Sequence, residues 1–147
     1  MTITMQTIQE TQDEIVDDFA LFTDWTEKYR YIIELGRKVP ELPSEYKTDT
    51  HIVRGCQSQV WLHASLKDGL VILQADSDAM IVRGLIALML RVYSDHTPDE
   101  ILAAQPEFID RIGMSQHLTP GRSNGLHSMI KQVKLYAAAY KKMESQA

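Results

Sequence analysis

One thiol draws the eye first. Cys56 is the only cysteine among 147 residues, and it stands in the stretch VRGCQSQVWL, residues 53–62. A free cysteine is most often a buried core atom, because it behaves as a small hydrophobe. These flanks are polar instead. Gly55 admits backbone conformations closed to other residues. Gln57 and Ser58 bring polar groups close to the sulfur, and Arg54, two residues away, favours the thiolate, which is the reactive form. A loop thiol among such neighbours is a candidate nucleophile.

One cysteine forms no disulfide within the chain and builds neither a zinc site nor an iron–sulfur site of cysteines within it. A cysteine hydrolase needs a general base, usually histidine. His51, His63, His96, His117 and His127 are available, none at a telling spacing. His117 is the strongest of them, because QHLTPGRSNG is a second polar, irregular stretch; Arg122 in that stretch is placed to meet a thiolate or another anion. There is no P-loop or GxGxxG pattern. No carboxylate pair stands out as an acid–base couple, and no His/Asp/Glu set has metal-ligand spacing, so no metal is expected. The acids of DEIVDD (13–18) fit a solvated helix face, and Trp25 and Trp61 fit structural anchors. The residues alone end at a possibly reactive loop thiol and leave open a hydrolase or transferase using Cys56 with a histidine such as His117, and a scaffold-like interaction domain with a structural cysteine.

The elements that must position Cys56 follow from periodicity. The length suits a single domain, 1–147, with residues 1–10 frayed. Ile15, Phe19 and Phe22 predict a helix over 11–22. Asp24, with Glu27 three residues on, caps a second helix that ends near Val39, before Pro40 and Pro43. After a polar loop the period becomes two: Val60, Leu62, Ala64 and Leu66 alternate with Trp61, His63 and Ser65. The turn KDG returns the chain as LVILQA, a β-hairpin. A strand over 51–54 is placed beside it, which puts Cys56 at a bend between strands. Asp76, Ser77 and Asp78 are assigned as caps of a buried helix over 79–95. Thr97-Pro98-Asp99-Glu100 is a strong helix start, and another helix begins near Pro106. Residues 117–125 read as a turn-rich loop before a last helix carrying Leu126, Met129, Ile130, Val133, Ala137 and Tyr140 inward. The predicted class is α+β: a small antiparallel sheet of about three strands packed on several helices.

Composition narrows the function. The net charge is -5, which speaks against a nucleic-acid binder, since that needs a clustered basic face. No apolar run reaches the roughly 18 residues of a membrane span. The first residues are polar and acidic, unlike a signal peptide, and a single thiol suits the cytosol.

Four segments, in order, carry a resemblance: WTEKYRYIIELGRKVPELP (25–43), GCQSQVWL (55–62), LQADSDAMIVRGLIAL (73–88) and QHLTPGRSNGL (116–126). Over about residues 20–142 the chain resembles the SufE family of sulfur acceptor proteins. That resemblance implies a fold like the IscU-type scaffolds and a partner cysteine desulfurase, SufS, which itself holds the pyridoxal phosphate. No cofactor is implied for this chain. Cys56 matches the acceptor cysteine that becomes a persulfide, and the recipient is a SufBCD-type scaffold for iron–sulfur cluster assembly. The related CsdE uses another desulfurase, and a homodimer stays open. By the same analogy the resting sulfur tucks into an apolar pocket, while Gly55, Gln57 and Ser58 let it swing out. Arg122 is implied to favour thiolate and Asp78 to tune the loop's release. Gly121 stands where the family usually has a serine and is expected to loosen its loop.

Overall fold

The computed structural model describes residues 6–145. Its order is α1 (Ile8–Ala20), α2 (Trp25–Arg37), two short 3-10 turns (Ser44–Tyr46 and Asp49–His51), β1 (Val60–Lys67), β2 (Leu70–Ser77), α3 (Met80–Tyr93), α4 (Pro98–Ala103), α5 (Glu107–Ile112), α6 (Met114–His117) and α7 (Pro120–Ser145). The α+β class is as the sequence predicts, with one antiparallel hairpin as its sheet.

The hairpin turns at Asp68-Gly69, both at positive φ (54° and 80°), the combination that matches the twist of paired strands. Its register pairs Leu62 with Ala75 and Ala64 with Leu73. Those four side chains and Val60 are buried, and α3 and α7 pack on the sheet. The third strand shrinks to a single bridge, Ile52 with Trp61, and one hydrogen bond, Val53 N–H to Val60 O (2.8 Å). The reason is local: Gly55, at φ 93°, turns the chain away.

Three other boundaries differ from expectation. Residues 1–5 of the stretch expected to fray lie outside the described residues, but 8–10 are helical: Thr7 and Glu10 form a reciprocal capping box that starts α1. Asp76 and Ser77 do not cap α3. Strand β2 runs through Ser77, and Ala79 precedes the helix with no side-chain cap. The expected loop 117–125 is mostly helix, because α7 begins at Pro120. The Thr119 hydroxyl accepts from Arg122 N–H (3.4 Å) and its carbonyl from Ser123 N–H (3.0 Å). Thr119-Pro120 thus starts a helix as Thr97-Pro98 does.

The core is welded where α2 crosses α3. A Cβ on Gly84 would stand 2.7 Å from the Ile32 carbonyl carbon, and one on Gly36 2.7 Å from Gly84 N. Backbone meets backbone there, so both positions need glycine. Beside the crossing, Arg83 is ion-paired to Asp76, and it donates to one carbonyl in the last turn of α2, Gly36 O (3.3 Å), and one just beyond it, Val39 O (2.7 Å). Asp76 also accepts from Leu42 N–H (3.1 Å) and Ser77 N–H (2.8 Å). Burial by itself raises Asp76; those two hydrogen bonds and the Arg83 and Lys47 charges outweigh it and hold the carboxyl below its usual value.

Candidate functional site

The loop between Val53 and Val60 is held at its base. Val53 and Val60 close its neck, and next to Val60 the Gln59 N–H donates to Asp78 Oδ1 (3.2 Å), from the link between β2 and α3. Between these ties, among the described residues, no backbone hydrogen bond fixes residues 54–58. They lie instead along the first turns of α7. Gly55 faces Ser128, Cys56 faces Gly125 and Gln57 faces Gly121. The loop therefore runs against the helix direction, one residue to each step of three or four.

Cys56 is half-buried. Its Sγ stands 3.6 Å from Gly125 O, the reach of a weak S–H donor. The sulfur lines a cavity of about 120 Å³. The inner wall is apolar: Val60, Val82, Leu85 and Met129. Gln57, Ser58, Gly121 and Arg122 supply its polar side. A water's share of liquid volume is about 30 Å³, so one further sulfur atom fits.

Burial pushes the Cys56 thiol up, and no neighbouring charge offsets this. Burial thus favours the protonated thiol at rest over the thiolate that Arg54, two residues away, led the sequence to favour. Arg54 is exposed and lines a separate groove with Ser128, Lys131 and Leu135. Arg122 does share the cavity with the sulfur, but lies on the first turn of α7 and does not offset the effect of burial on the thiol.

No histidine lines this cavity. His117 is exposed, with its ring stacked on Trp25 (centroids 4.3 Å apart) and its carbonyl accepting from the Tyr29 hydroxyl. His51 and His63 face one another, Nε2 to Nδ1 at 3.2 Å, and Tyr46 stacks on His63. His96 is buried against Glu100 (3.2 Å), and His127 is exposed. Among the described residues no group of three or more His, Cys, Asp or Glu is placed to hold a metal ion.

The structure thus brings Cys56, Gln57, Ser58 and Arg122 to one cavity, with Gly55 and Asp78 flanking the loop. Sequence reasoning missed the inner wall. Val82, Leu85 and Met129 have the spacing of ordinary core residues, and nothing in one helix's pattern reveals that a thiol from elsewhere meets it. Gly121 departs from its expected role: it belongs to a helix, and its missing side chain makes room for the Gln57 amide rather than loosening a loop.

Comparison with known proteins bears on the fold and the family. A solution structure of a hypothetical protein from Thermus thermophilus shares the fold, with a TM-score of 0.73 at 21% identity, covering 88% of this chain and 94% of that one. An uncharacterised SufE-like protein of Rhizobium meliloti (strain 1021) is 43% identical over 127 residues, 83% of this chain and 91% of its own. Another, from Rhizobium etli, is 45% identical over 127 residues, 83% of this chain and 86% of its own. The family model described as "Fe-S metabolism associated domain" matches residues 13–137. By that span and those identities, the chain belongs to the SufE family.

Proposed function

We propose that Cys56 accepts a sulfur atom from a cysteine desulfurase of the SufS type and carries it to a SufBCD-type scaffold for iron–sulfur cluster assembly. The observation that carries this reading is a lone thiol on a loop tied at its base and between by one weak S–H contact, with its sulfur resting in a cavity that has room for one more. The chemistry needs little else. The Cys56 thiolate attacks the terminal sulfur of a persulfide on the desulfurase. The old S–S bond breaks as the new one forms, and the desulfurase cysteine leaves as thiolate, so there is no net oxidation. No metal or cofactor on this chain enters the step; the pyridoxal phosphate is the desulfurase's. With no second cysteine in the chain, nothing within it resolves the new persulfide to a disulfide.

Because burial favours the neutral thiol at rest, transfer begins with the loop leaving α7. Water then restores an ordinary thiol pKa and the partner's persulfide comes within reach. Gly55 gives the loop its turn, and Asp78 holds the Gln59 end until release. Arg122, on the same cavity, remains to meet the anion formed there.

The test is intact mass after incubation with a SufS-type desulfurase and free cysteine. The parent gains one sulfur, reductant removes it, and Cys56→Ser gains none. No gain in the parent, with desulfurase turnover unchanged by its presence, would overturn the proposal. A hydrolase using His117 predicts thioester or peptide cleavage that His117→Ala abolishes.

A further inference from the structure

We infer that the Gln57 side chain, seated on the bare backbone of Gly121, is the cover of the Cys56 cavity and sets how fast the thiol is reached. Both residues line that cavity, on its polar side. A Cβ on Gly121 would stand 2.7 Å from Gln57 Nε2 and nearer still to the other amide atoms. The amide therefore occupies the place where any other residue would put its side chain. Among the described residues, the Gln57 amide makes no hydrogen bond to the protein. It is held by fit alone, so the cover lifts without breaking a polar tie.

The two glycines of this helix face are not equivalent. A Cβ on Gly125 would stand 3.5 Å from Cys56 Sγ and 3.8 Å from its Cβ, ordinary contact distances that displace nothing. A methyl at 121 expels the cover, whereas a methyl at 125 only adds a wall to the cavity. Gln57 and Gly121 are positioning residues, since they act on the thiol through access and leave the reacting atoms alone.

The inference deepens the carrier reading and rests on Cys56 being its working thiol. A labelling experiment at one fixed pH reads the exposure and ionisation of the thiol without any desulfurase, so it can fail while sulfur uptake succeeds, and the reverse. Iodoacetamide alkylation of Cys56 is timed in the full chain for the parent, Gln57→Ala, Gly121→Ala, the double variant and Gly125→Ala. Each single change at 57 or 121 is expected to speed alkylation roughly fivefold, as a local opening that costs less. The double variant should match either single one, because both remove the same cover. Gly125→Ala should not speed it. Urea midpoints show that each variant is folded, and alkylation rates in denaturant should be equal for all. An unchanged rate in either single variant, or a double variant whose rate is the product of the two, would overturn the inference. Acceleration by general loosening of the fold would multiply in this way.

Discussion

Glycine brings two pairs of segments close in this molecule, with opposite results. Where α2 crosses α3, Gly36 and Gly84 set backbone on backbone, and the Arg83–Asp76 pair stitches the same place with hydrogen bonds. Where the Cys56 loop lies on α7, Gly55 and Gly121 meet the ends of side chains, Ser128 Oγ and the Gln57 amide, and among the described residues no backbone bond joins the two surfaces. A contact between backbones gives only if a helix moves. A contact with a side-chain end gives by a bond rotation. The first crossing is a weld and the second a catch.

The sharpest way to break that contrast is at the weld. Arg83→Met leaves the Asp76 carboxylate, whose side chain is 2% exposed, without its nearest charged partner, with Lys47 at 3.4 Å and two backbone N–H groups remaining. It should cost about 3–5 kcal/mol in urea unfolding. Asp76 titrates below its usual value in the folded chain, so its share of stability is full above the unfolded carboxyl pKa and fades as pH falls through the folded one. The gap between parent and variant should therefore narrow below about pH 4. Gly84→Ala comes next, at about 3 kcal/mol, because the added carbon meets α2 backbone and forces the helices apart. An unchanged urea midpoint in either variant would dissolve the distinction between weld and catch. The smallest effect on stability belongs to Asp78→Ala, about 1 kcal/mol for one loop hydrogen bond, yet it should alter thiol chemistry most. Burial favours the neutral thiol, so alkylation of folded parent should reach half its plateau at a higher pH than in denaturant. Asp78→Ala should lower that midpoint toward the denatured value; a midpoint that stays put would mean that Asp78 does not restrain the loop.

Much of this is legible in the sequence, and the gaps have physical causes. Cys56 stands out because its neighbours are polar, and the hairpin because its period is two. Thr119-Pro120 reads as a turn because glycines at 121 and 125 look like breakers; inside α7 they serve close packing, and the capping threonine decides the local structure. Asp76 resembles a helix cap because caps and buried ion-pair partners share a residue type, and its partner Arg83 is settled only by the fold. The inner wall of the cavity comes from two distant helices and a strand. Its residues fit the period of a core, which does not distinguish contact with an apolar side chain from contact with a sulfur.

The catch also sets a clock. Closing a loop of about ten residues takes roughly 10–100 ns, and the span from Val53 to Val60 is shorter. Typical association constants of about 10⁵–10⁷ M⁻¹s⁻¹ bring a micromolar partner only every tenth of a second or slower. A loop that recloses on that scale is back under cover long before a partner protein at such dilution arrives. In the proposed carrier cycle, only a partner that grips the open loop outlasts that interval, so speed of return, as much as depth of burial, would select who receives the sulfur.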